Sequence, residues 1–152
     1  MKRPRARRVA AAALAAAVAA LAAACSDLSI TRPVDAISTP IANPSLSRDI
    51  QPILTATCAS SYACHAGPTP QVGLSLEPGR SYAHLVNVPA ALLAPLLRVA
   101  PGNPDSSALM IMLGSDSAAR RGLPRMPRTS YPLPDPVIQT IRNWITNGAP
   151  DN

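Results

Sequence analysis

Apolar residues recur at helical spacing in only a few short stretches of this chain, and polar, proline-rich segments run between them. The clearest stretch lies near the C-terminus. Ile138, Ile141 and Ile145 stand three and four apart, with Val137 and Trp144 alongside, so they form one stripe on a helix. Asp135 is the expected N-cap, Pro136 suits the first helical position, and Gly148 supplies the stop. A second amphipathic stretch covers residues 49–57. Asp49 as N-cap puts Pro52 in the first turn, where its missing N–H costs little, and Ile50, Ile53, Leu54 and Thr57 share a face. Weaker patterns predict a short helix over 81–88 and an apolar helical stretch over 89–97. Another helix is expected through Leu109, Met110, Met112 and Leu113, capped by Asp105 or Ser106 and stopped by Gly114. Residues 115–134 read as loop. No alternating run is long enough to organise a sheet. The predicted fold is therefore all-α, a small helical domain with long loops, and the 18 prolines favour short helices over a long bundle.

The N-terminus has a different pattern. Lys2, Arg3, Arg5, Arg7 and Arg8 precede an apolar, alanine-rich run over 9–21, which is short for a membrane span and suits a signal peptide. Ala22-Ala23-Ala24-Cys25 follows and resembles the lipobox of bacterial lipoproteins. That resemblance implies lipidation of Cys25 and a mature chain that starts there. Ser26 stands where an Asp would signal inner-membrane retention, which favours an outer-membrane lipoprotein within the cell envelope, facing the periplasm. Residues 26–46 carry Pro33, Pro40 and Pro44 among Ser, Thr and Asn and show no sustained period. The expected organisation is a signal peptide over 1–24, a flexible tether over 25–46 and one folded domain over 47–150.

Charge changes its meaning once the signal is set aside. The chain has 14 Lys and Arg against 8 Asp and Glu, but five of the basic residues precede Cys25, leaving nine against eight. Nucleic-acid binding loses the basic surface it would need. Phe is absent and aromatics make up 3% of the chain, so a large aromatic core is excluded; a buried prosthetic group would supply the missing apolar bulk.

The candidate chemistry lies in Cys58-Ala59-Ser60-Ser61-Tyr62-Ala63-Cys64-His65. A histidine directly after the second of two cysteines marks covalent haem attachment, usually as C-x-x-C-H. Here five residues separate the cysteines instead of two. A disulfide between Cys58 and Cys64 and a zinc site drawing on Cys58, Cys64, His65 and His84 are the alternatives. An oxidising exported compartment suits a disulfide and haem attachment equally.

Five ordered pieces widen the picture: Ile50-Gln51-Pro52-Ile53-Leu54, Cys58…Cys64-His65-Ala66-Gly67, Val99-Ala100-Pro101-Gly102-Asn103-Pro104, Met126-Pro127, and Trp144-Ile145-Thr146-Asn147-Gly148-Ala149. Together they resemble a planctomycete-type cytochrome c domain over roughly residues 47–150. The resemblance implies a cytochrome c-like fold in which the first and last helices cross and pack. It implies haem c attached through Cys58 and Cys64, His65 as proximal iron ligand, and Met126 from a Met-Pro loop as the distal one. Met110 and Met112 read as packing residues, and His84 is the rival distal ligand. Arg120, Arg121, Arg125 and Arg128 cluster beside Met126, where they would meet haem propionates or steer an acidic redox partner. The function so implied is single-electron transfer between redox partner proteins, by a non-enzymatic carrier tethered to a membrane through its lipid. A non-redox binding or structural lipoprotein with a disulfide in place of haem is the alternative. A sensor in which Met126 leaves the iron is a third.

Overall fold

The helix around Trp144 forms where the apolar stripe predicts it. A computed structural model describes Val34, residues 37–128 and residues 131–152 of the chain. The expected signal peptide, Cys25 and half of the expected tether lie outside the described residues. Helical segments run in the order of a wide π-type turn Leu46–Ile50, α1 Gln51–Thr57, a 3₁₀ turn Gln71–Gly73, α2 Ser81–Leu85, a 3₁₀ turn Pro104–Ser106, α3 Ala108–Leu113, α4 Ser115–Ala119 and α5 Asp135–Thr146. Among the described residues no strand forms. Val86 with Val99, Pro89 with Leu97 and Leu97 with Ser107 make isolated bridges only. The domain is helical, with more loop than helix between its ends.

α5 buries Val137, Thr140, Ile141, Trp144 and Ile145. It begins one residue off the expected cap, with Asp135 in its first turn and Pro134 ahead of it. Its end follows the glycine rule. Gly148 adopts φ +91, and the N–H of Ala149 turns back to the Trp144 carbonyl at 2.9 Å.

The first helical run starts earlier than its apolar pattern indicates. Ser45, not Asp49, is the cap: its Oγ accepts from Arg48 N at 3.5 Å, while the Asp49 carboxylate accepts from Ser45 N at 2.8 Å. Cap and acid thus satisfy each other's neighbourhood, as in a capping box widened by one residue. The chain end closes on the same place. Ser47 N donates to the Asn152 carbonyl at 2.8 Å and Leu46 N to Asn152 Oδ1 at 2.9 Å. α5 contacts the Leu46–Ile50 turn, so the two ends of the domain meet.

Residues 37–46, expected as the last part of the tether, lie against α5. Ile37 is buried, Ile41 N donates to Thr140 Oγ1 at 3.0 Å, and Asn143 and Asn147 donate to the carbonyls of Ile41 and Ala42 at 2.8 and 3.0 Å. Asn143 and Asn147 are one helical turn apart on α5. They satisfy a backbone that forms no secondary structure of its own, a periodic signal invisible in the segment itself.

Four other expectations change. Residues 89–97 do not form a helix: Pro89 and Pro95 lack the N–H a helix needs, and the segment folds back, with Ala90 N donating to Leu96 O at 2.9 Å. The helix over 81–88 stops at Leu85 because Val86 turns extended. Residues 115–134 include the short α4. Before α3, Asn103 caps the 3₁₀ turn through Ser106 N at 3.3 Å, in place of Asp105 or Ser106.

The core is aliphatic around one aromatic. Ile50, Ile53, Leu54, Val137, Ile141 and Ile145 surround Trp144, which is fully buried and donates Nε1–H to the Pro150 carbonyl at 3.0 Å. With no Phe to share the load, Trp144→Ala is expected to cost about 3–5 kcal/mol. Removing the helix-start cap with Ser45→Ala is expected to cost about 1 kcal/mol. Urea unfolding followed by far-UV circular dichroism measures both, and a Trp144→Ala loss no greater than that of Ser45→Ala would refute this view of the core.

Candidate functional site

α1 carries the chain to Cys58, whose N–H still donates to the Leu54 carbonyl at 2.9 Å. The five residues after it leave as a bulge and return. Cys64 N donates to Ser61 O at 3.0 Å in a tight turn, and His65 N donates to Cys58 O at 3.1 Å. That second bond closes the loop, so the long spacing is absorbed between fixed ends. Tyr62, 76% exposed, folds its ring over Gly67, where a Cβ would sit 2.8 Å from a ring carbon. With φ +80 as well, this position excludes larger residues. The chain then wraps the pair: Gln71 N donates to Cys64 O at 3.0 Å and Leu76 N to His65 O at 2.8 Å.

Cys58, Cys64 and His65 line a cavity of about 630 Å³, and Met126, far along the chain, lines it too. This volume falls within the roughly 300–1,000 Å³ typical of small-molecule and cofactor sites. Leu74, Leu76, Leu85, Leu109 and Leu113 supply much of its apolar surface, and its charged lining residues are Arg98 and Arg128. Among the described residues no carboxylate lines it. The four residues singled out from the sequence thus converge on one place.

Three further residues sort differently from expectation. Met112, expected to pack, shares the cavity, and its carbonyl accepts from Met126 N at 2.7 Å, while Met110 is buried in the main core. Residues two apart on a helix face different ways, so the spacing of Met110 and Met112 carried that distinction. His84, the rival ligand, does not line the cavity; its Nδ1 lies 3.3 Å from both Ser75 N and Gly73 O, and the tautomer decides which it bonds. Arg98 was not legible as a site residue, standing at the end of an apolar stretch just ahead of the Val99–Pro104 piece and outside it. In the basic cluster only Arg128 reaches the lining. Arg120 and Arg121 are exposed, and Arg125 donates to the Pro127 and Tyr131 carbonyls at 3.1 and 3.4 Å.

The electrostatics favour neutral donors. Burial pushes the His65 pKa below its usual value; the backbone of Leu74 and Gln71 partly opposes this, and Arg98 adds to the fall. His65 Nδ1 is buried without a hydrogen-bond partner. An imidazole neutral at pH 7, with an unsatisfied buried nitrogen, is poised for a partner. Burial also pushes the Cys58 thiol up, against the Thr57 hydroxyl 3.3 Å away, with neighbouring Cys64 reinforcing the rise.

Both thiols are free. Among the described residues no three His, Cys, Asp or Glu side chains assemble to hold a metal ion, so the zinc set with His84 is not brought together. Two thiols, an imidazole and two thioethers in an apolar cavity with arginines fit a flat apolar ring that bears carboxylates and a ligand-accepting iron. Comparison with protein-family models, curated proteins and solved structures finds no match to this chain.

The raised Cys58 pKa predicts unequal labelling. In the chain as described, at pH 8, iodoacetamide should modify Cys64 before Cys58, because the thiolate is the reactive form. Peptide mass spectrometry reads the order, and faster labelling of Cys58 would contradict it.

Proposed function

We propose that this chain is an exported, lipid-anchored, mono-haem c-type cytochrome that carries single electrons between redox partner proteins. The observation that carries the reading is the convergence of Cys58, Cys64, His65 and Met126 on one apolar cavity. The ordered sequence pieces that resemble a planctomycete-type cytochrome c domain support the same reading and the same fold.

Haem bound there would supply a one-electron Fe(III)/Fe(II) couple. Cys58 and Cys64 would each add S–H across a vinyl group, with no net oxidation, and so hold the group in a domain too small to enclose it by contact alone. His65 would offer a neutral nitrogen to the iron. Met126 offers a thioether, which favours Fe(II) and raises the potential. Arg128 would supply positive charge suited to the propionates. Cys25 would anchor the domain to the membrane, with the periplasm-facing envelope as its place.

Expression with haem-maturation machinery tests this. Intact mass after denaturation should include one haem, and a pyridine haemochrome spectrum should report two thioethers. Cys58→Ser should leave the one-thioether spectrum, and Met126→Ala should abolish the near-infrared sulfur-to-iron band. A protein lacking haem mass and short by two protons would instead establish the disulfide lipoprotein.

A further inference from the structure

The Gln71–Gly73 turn is held in a conformation its own sequence does not favour. Val72 adopts φ +50 and Gly73 φ +64, two left-handed residues in succession. Glycine tolerates this, but a β-branched side chain in that region is an outlier that persists only when its surroundings impose it. Here the imposing group is Arg98. Its Nη2 donates to the Val72 carbonyl at 3.0 Å, and its Nη1 donates to the His84 carbonyl at 2.8 Å and reaches the Gly73 carbonyl at 3.5 Å. The base of the side chain is equally fixed: Arg98 N donates to Val88 O at 2.7 Å, and Leu109 N donates to Arg98 O at 3.0 Å.

What the turn carries gives this clamp a purpose. Its first residue, Gln71, holds the Cys64 carbonyl, and the segment it launches holds the His65 carbonyl through Leu76 N. The backbone of Leu74 and Gln71 also lies close enough to act on the His65 ring. Arg98 itself lines the cavity that His65 enters. A planar guanidinium can reach several carbonyls at once, which a lysine ammonium on a flexible stem does less well.

We propose that Arg98 is a positioning residue for His65: it holds the 72–73 turn closed, and through that turn the wrap that sets the imidazole in the cavity. The functional half of this inference rests on the cytochrome reading above. Groups behind a ligating histidine set its orientation and basicity, and their loss typically weakens metal affinity about 10–100-fold.

The test uses the full chain, with and without haem. In the haem-free chain, Arg98→Ala should speed amide hydrogen exchange at Gln71 and Leu76 at least tenfold and leave Ile141 and Trp144 unchanged, which separates local release from general destabilisation. In the haem-loaded chain, Arg98→Ala should raise the high-spin fraction in the absorption and EPR spectra and move the midpoint potential. Adding Val72→Gly should recover the parent spectrum, because glycine adopts the left-handed turn without the clamp. Faster exchange with an unmoved spectrum and potential would make Arg98 merely structural and overturn the proposal. Unchanged exchange would overturn it as well. A parent chain that takes up no haem would instead sink the cytochrome reading, and the positioning role with it.

Discussion

The hydrogen bond from His65 N–H to the Cys58 carbonyl is the constraint on which the site depends. It joins the end of a helix to the start of a loop and makes one unit of three reactive side chains. Without it, the five residues between the cysteines would let Cys64 and His65 wander relative to Cys58. With it, α1 sets one thiol, and the 71–76 wrap sets the other thiol and the imidazole. A single backbone bond contributes only about 0.5–1.5 kcal/mol. Its effect here is geometric, because it is one of four that fasten Cys64 and His65.

The rest of the domain is arranged to support that segment. α1 shares its apolar core with α5 and Trp144, and the Leu46–Ile50 turn ahead of it is tied to Asn152 through Ser47 and Leu46. A core this poor in aromatics has little to spare, and the domain recruits backbone that the sequence pattern assigns to a tether. The polar amides of α5 do part of that work through Asn143 and Asn147. The cavity, meanwhile, takes apolar side chains from α2, α3 and the 90–93 segment that would otherwise complete a core.

What the sequence made legible follows from the range of the forces involved. α5 and α1 were readable because a stripe of Ile, Leu and Trp is a local, repeating signal. Cys58, Cys64, His65 and Met126 could be singled out because their chemistry is unusual wherever they fall, and the fold brings all four to one cavity. The 89–97 helix was misread because apolar content outweighed the two prolines, and the end of the tether because its partners are a hundred residues away. Arg98 and Met112 were hidden for the same reason. Nothing near Arg98 in sequence shows that it would meet Val72, and nothing within α3 shows which methionine faces the cavity. Contacts made across the chain decide such cases, and local pattern is silent about them.

The unusual cysteine spacing then becomes a smaller obstacle than its departure from C-x-x-C-H suggests. Chemistry at two neighbouring vinyl groups depends on where the two sulfurs are, not on how many residues connect them. Lengthening a loop costs little entropy when its ends are already fixed, growing only with the logarithm of length. Both ends are fixed here, one by α1 and the other by the wrap from Gln71 to Leu76. The extra residues go outward, where Tyr62 covers Gly67 and the backbone turns on Ser61. Under the cytochrome reading, selection would act on the closure bond and on the glycine beneath Tyr62 more than on the count between the cysteines. Shortening the bulge would then be tolerated only if the helix end, the His65 N–H and the Cys58 carbonyl could still meet.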